Sequence, residues 1–195
     1  MRMRKGLIYV LAIISLVACT IPETRIFSIY IPSGKEVSNP GGGESVAIMV
    51  SSRRYLSQPY IAYRNMPYEL GISKYSKWEA PPDEIVGEAF TNSLMAAGSF
   101  RDVRRSGIVP RGFYSLRINL RRFERSEEGN DFFGVLALDI SLFSPDGSEL
   151  LRDTVSKKVK LDDKSFLGLA KGLSSALGDA VEDTTVRIEK LLKRA

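Results

Sequence analysis

"FYSLRINLRRFERSEEGNDFFGVLALDISLF", residues 113–143, carries the pattern from which the rest of the fold is read. Tyr114, Leu116, Ile118 and Leu120 alternate with Ser115, Arg117, Asn119 and Arg121, the two-residue period of a strand buried on one face. Leu136, Leu138, Ile140 and Leu142 repeat it after the turn residues "SEEGND". A second turn, "SPDGSE", leads to Leu151, Val155, Val159 and Leu161, which oppose Arg152, Thr154, Ser156, Lys158 and Lys160. Three strands joined by short turns predict an antiparallel meander with one apolar face and one wet, basic face.

Apolar periodicity changes on either side of the meander. In "PPDEIVGEAFTNSLMAAG" (81–98), Ile85, Val86, Ala89, Phe90, Leu94 and Ala97 recur at spacings of three and four. Prolines open this segment, Asp83 and Glu84 stand in its first turn and Gly98 closes it, as a helix requires. Residues 163–195 predict a longer helix whose core stripe is Leu169, Leu173, Ala176, Leu177, Ala180, Thr184, Ile188 and Leu191. Gly168 and Gly172 form a G-x-x-x-G pair, read as close packing on the sheet rather than self-association.

Upstream, "TRIFSIYI" (24–31) and "SVAIMV" (45–50) read as strands, separated by a loop of proline and glycine. Gly41, Gly42 and Gly43 do not form a phosphate loop, because a strand and not a helix follows them. Residues 51–80 are aromatic and proline-punctuated, predicting short strands and loops. The expected fold is an α+β domain over 24–195, a mostly antiparallel sheet of about five strands with two helices on one face, in the order β-β-α-β-β-β-α.

The N-terminus is different material. Arg2, Arg4 and Lys5 precede thirteen almost wholly apolar residues, Gly6 to Ala18, which is the order of a secretory signal peptide and short of a bilayer span. The net charge of +5 belongs largely to that segment. Without its three cations, 25 basic residues face 23 acids, and a balance of +2 predicts no attraction to nucleic acid. Leu16-Val17-Ala18-Cys19 resembles the lipobox of bacterial lipoproteins. The resemblance implies cleavage before Cys19, diacylglyceryl on its sulfur, an acyl group on its amine, and a short tether over 19–23. Thr20 follows in place of a retention aspartate, which implies an outer-membrane destination facing the periplasm.

Histidine is absent, and Cys19 is the only cysteine. The commonest general base, nitrogen ligand and thiol nucleophile are therefore missing. No catalytic residue, no metal site and no cofactor beyond the covalent lipid is expected, and the chain is read as a non-enzyme.

The aromatic stretch supplies the remaining signal. Tyr55-Leu56, Ile61 and Arg64, then Trp78 with Pro81 and Pro82 opening a helix, then Gly98-Ser99-Phe100 ending at Val103, resemble the ABC-type transport auxiliary lipoprotein family, which contains PqiC-like proteins. Ser57 and the long glycine-rich loop depart from that pattern. The resemblance implies an outer-membrane docking component of an MCE-type intermembrane lipid transport system. Its partner would be an MCE-domain periplasmic protein, and some members would form homo-oligomeric rings. An assembly lipoprotein of the pilotin kind is the alternative. Tyr63, Arg64, Tyr75 and Trp78 are the candidate partner contacts, since aromatic and arginine side chains carry much interface energy. The competing reading packs Trp78 and Tyr63 inside, against the 82–97 helix.

Overall fold

The alternation over 114–161 builds what it predicts. In a computed structural model, which describes residues 22–32 and 43–193, three long strands form an antiparallel meander. In chain order they are β6 (Tyr114–Glu128), β7 (Asp131–Phe143) and β8 (Glu149–Leu161). Gly129 and Gly147 take positive φ, 62° and 92°, at the two turns read from the sequence.

The sheet as a whole corrects the expected one. It has eight strands, and its pairing is mixed. β2 (Ser45–Ser52) and β3 (Tyr60–Met66) share the other edge of β6, both parallel to it: β2 along 114–120 and β3 along 124–126. β5 (Asp102–Arg105) adds parallel to β2. β4 (Glu69–Trp78) returns antiparallel to β3, and β1 (Arg25–Phe27) lies parallel to β4. The N-terminal strand is thus three residues long, and residues 51–80 hold an ordered hairpin plus a 3-10 turn at Arg54–Leu56.

The physical reason for the parallel pairing lies in β2, whose first four residues, Ser45 to Ile48, are all buried. A strand covered on both faces belongs to a crossover unit. Helix α1 (Pro82–Ala97) covers one face between parallel β2 and β5: a Cβ at Gly87 would stand 3.2 Å from Val50. The 106–113 connection has to cross the other face to reach β6.

Both helices sit on one side of the sheet. Ile85, Val86, Phe90 and Leu94 of α1, and Leu169, Leu173, Ala176, Leu177 and Ile188 of α2 (Phe166–Leu192), are buried with Leu116, Ile118, Leu120 and Phe123 of β6. The helices touch through Ser93 and Thr185, whose hydroxyls are 2.9 Å apart. Ser165 caps α2, its Oγ accepting from the Gly168 N–H at 2.9 Å. A Cβ at Gly172 would meet Leu161 at 2.6 Å, so this half of the glycine pair serves close packing on the sheet.

Candidate functional site

Each residue's place in the pleat decides what it can touch. Tyr63 points to the helix side of β3, half-buried, its ring 6.4 Å from that of Phe166. Gly71 lies opposite it across the hairpin, and only a glycine leaves room for the ring there: a Cβ would come within 2.4 Å of it. Arg64, the next residue, points to the outward face. Tyr75 sits where the β3–β4 pairing is interrupted between Ile72 and Lys77, and is 49% exposed. Trp78 is only 1% exposed and packs edge-on against Phe123, centroids 5.4 Å apart. The four candidate contacts are therefore not one patch. Trp78 is a core residue, as in the competing reading, and of the four Tyr75 is the most open to a partner.

A buried carboxylate, which periodicity did not single out, organises the outward face. Glu124 is fully buried. Its Oε1 accepts from Nε of Arg64 and of Arg122, both at 2.8 Å, and its Oε2 accepts from the Tyr55 hydroxyl at 3.0 Å. Two of the residues that carry the family resemblance, Tyr55 and Arg64, thus converge on one acid; two others, Leu56 and Ile61, are buried in the core. The motif is a clasp that fixes the 3-10 turn and β3 to β6. Removing one member of a buried ion pair costs about 3–5 kcal/mol, and partly exposed Arg64 and Arg122 can regain water. Glu124→Ala is therefore expected to destabilise by about 3 kcal/mol, read from the urea midpoint, with Glu124→Gln losing less.

The same clasp makes stability fall in alkali. Burial, and then the Glu124 charge, push the Tyr55 hydroxyl from 10.0 up to about 12. A group whose folded pKa is raised contributes stability that is complete below pH 10 and lost as pH rises through about 12. Urea midpoints are expected to fall across that window in the wild type, and to fall less in Tyr55→Phe.

On the helix side Arg125, 8% exposed, stands 5.3–5.8 Å from the ring centroids of Tyr63, Phe166 and Phe132 and donates through Nη1 to the Lys164 carbonyl. Desolvation lowers its pKa, and the rings supply the compensating cation–π contact. Among the described residues no cluster of His, Cys, Asp or Glu is arranged to hold a metal ion. No helix among them is long and apolar enough to cross a membrane. Cys19 and Gly41–Gly42 lie outside the described residues. The β3–β4 hairpin exposes Met66, Tyr68, Ile72 and Tyr75, and other exposed apolar side chains, such as Ile26, Met95, Ile108 and Leu167, lie elsewhere.

The profile of the ABC-type transport auxiliary lipoprotein component family matches residues 34–184. The chain belongs to this family. Two solved structures share the fold of this auxiliary lipoprotein at low identity. A Xanthomonas campestris protein has a TM-score of 0.74 at 18% identity, covering 87% of this chain and 97% of its own. An uncharacterized protein has a TM-score of 0.65 at 15% identity, covering 85% and 99%. PelC from Paraburkholderia phytofirmans, solved as a dodecamer, matches at a TM-score of 0.44 and 19% identity, covering 76% and 91%. No curated protein matches the chain.

Proposed function

We propose that this auxiliary lipoprotein is the outer-membrane docking component of an MCE-type ABC system that moves lipid between membranes. Acyl chains on Cys19 would hold it, and it would do no chemistry of its own. Membership of the auxiliary family over 34–184 is the observation that carries this reading. The use of polar residues agrees with it: Glu124, the most deeply buried acid, is spent on internal ion pairs.

The direction of β1 supports one orientation for a domain tethered in this way. β1 runs parallel to β4 and away from the hairpin turn, so Glu23 and Thr24 enter from the hairpin end. Six residue steps from Cys19 to Arg25 reach at most about 20 Å. Six steps of β3, from Tyr60 to Met66, carry the hairpin about as far in the same direction. The hairpin end, with fully exposed Tyr68, would then face the bilayer, and the start of β6 would face the periplasm.

The test is co-expression of the full-length lipoprotein with an MCE-domain protein and extraction in mild detergent. Retention of the MCE-domain protein is expected. Retention of a secretin subunit in its place would overturn the assignment.

A further inference from the structure

The wet face of the meander carries many exposed cations, and the fold neutralises most of them in place. Arg121 is 3.2 Å from Asp139, Arg152 is 2.6 Å from Glu149, Lys158 is 2.5 Å from Glu128 and Lys160 is 2.8 Å from Asp131. Pairs of this kind add little stability, yet they cancel the field that a bare basic face would project.

One corner of that face is not cancelled. Arg117 on β6 and Arg111 on the 106–113 connection have no carboxylate within ion-pair distance among the described residues. The nearby Asp146 spends its carboxylate on the Ser144 hydroxyl and on the Ser148 N–H at 3.0 Å. Arg111 and Arg117 line one cleft of about 420 Å³ with Phe113, Ser115 and Phe143. The Arg117 guanidinium lies 4.6 Å from the centre of the Phe143 ring, and its Nε donates to Ser115 Oγ at 3.4 Å. Arg117 is exposed, and its guanidinium lies against an aromatic ring with its two Nη groups making no hydrogen bond among the described residues. Arg104, already paired with Asp102, stacks on Phe113 at 4.8 Å and stiffens the opposite wall. Ile108, 80% exposed, stands on the same connection.

A stacked guanidinium presents a planar pair of donors that fits a carboxylate in two places at once. Aromatic walls beside it suit an apolar side chain between two acids. In the orientation proposed above, the cleft also lies far from the bilayer. Seven residue steps of β6, about 23 Å, separate Arg117 from Glu124, where β3 joins, and the hairpin end lies beyond that. A lipid headgroup in the anchoring leaflet would not meet it, whereas a protein arriving through the periplasm would.

We propose that this cleft docks an extended acidic segment of the periplasmic protein partner, Arg111 and Arg117 each taking a carboxylate while Phe113 and Phe143 pack the residues between. The proposal rests on the docking function argued above and adds to it the place and the chemistry of the contact.

The test uses the full-length protein in neutral detergent micelles and a fluorescein-labelled hexaglutamate peptide, followed by fluorescence anisotropy. Wild type and Lys160→Gln, which alters a paired cation at the other end of the same face, are expected to bind the peptide alike. Arg111→Gln/Arg117→Gln is expected to bind at least tenfold more weakly with an unchanged melting temperature. Equal binding by the double variant would overturn the proposal. So would displacement of the peptide by phosphatidylglycerol doped into the micelles, if the same two arginines are needed, because the ligand would then be a headgroup. Co-purification of the MCE-domain protein separates the two levels. A partner retained equally by wild type and double variant removes the cleft and leaves the function standing. A partner that neither retains, with the peptide still discriminating, supports the cleft and removes the function.

Discussion

Cys19→Ser is expected to abolish fatty-acid incorporation and to remove the protein from the outer-membrane fraction. Each buried methylene contributes about 0.8 kcal/mol, and a single acyl chain binds a bilayer only marginally, so stable attachment needs the several chains that one processed cysteine carries. Nothing among the described residues replaces them. The apolar run Gly6–Ala18 is thirteen residues, against the roughly 20 that span a bilayer as a helix. No described helix is long and apolar enough to cross. The exposed side chains of the hairpin end, Met66 and Tyr68, are too few to hold a domain at an interface alone. Labelling with radioactive palmitate and separating the two membranes on a sucrose gradient reads both expectations. Because β1 begins at Arg25, the folded domain should melt at the same temperature with or without the anchor. Equal label in wild type and variant would dispose of the anchor.

How far the sequence foretold the rest depends on the range of the interaction that decides each element. The β6–β7–β8 meander is local: two short turns and a two-residue period specify pairing and face together, and Leu116, Ile118, Leu138 and Ile140 are buried as expected. Both helices follow from their own periodicity. The parallel pairings do not, since β2 meets β6 across more than sixty intervening residues and nothing local in "SVAIMV" distinguishes a parallel neighbour from an antiparallel one. β5, Asp-Val-Arg-Arg, carries one apolar residue and offers no period at all. Glu124 was hidden by a defect in the alternation. Leu120 pairs with Leu138 but Arg122 with Ala137, so one extra residue on β6 shifts the phase. Counting by twos from Leu120 would place Glu124 on the apolar side, whereas the bulge puts Phe123 there and turns Glu124 outward under Arg64, Arg122 and Tyr55. The four candidate contacts are separated for a related reason: adjacent Tyr63 and Arg64 lie on opposite faces of one strand.

Trp78→Ala is expected to destabilise the domain by about 4 kcal/mol, near the middle of the range for removing a buried tryptophan. For a domain of this size that lowers the melting temperature by roughly 8–16 °C. The size of the effect follows from the neighbourhood. Trp78 ends β4 just before α1 and packs edge-on against Phe123, so its removal opens a void where the β3–β4–β1 part of the sheet meets the meander. Trp78→Phe is the discriminating companion. The indole Nε1 is buried without a hydrogen-bond partner among the described residues, and phenylalanine removes that unpaired donor while retaining most of the aromatic contact. The lost volume and the relieved donor oppose one another, giving a net change below about 1.5 kcal/mol. If Trp78 were instead an interface anchor, the alanine variant would melt like the wild type and fail only in partner binding. Differential scanning calorimetry of the three proteins, set beside co-purification of the MCE-domain protein, separates these outcomes: a large fall in melting temperature for alanine and a small shift for phenylalanine place the indole in the core.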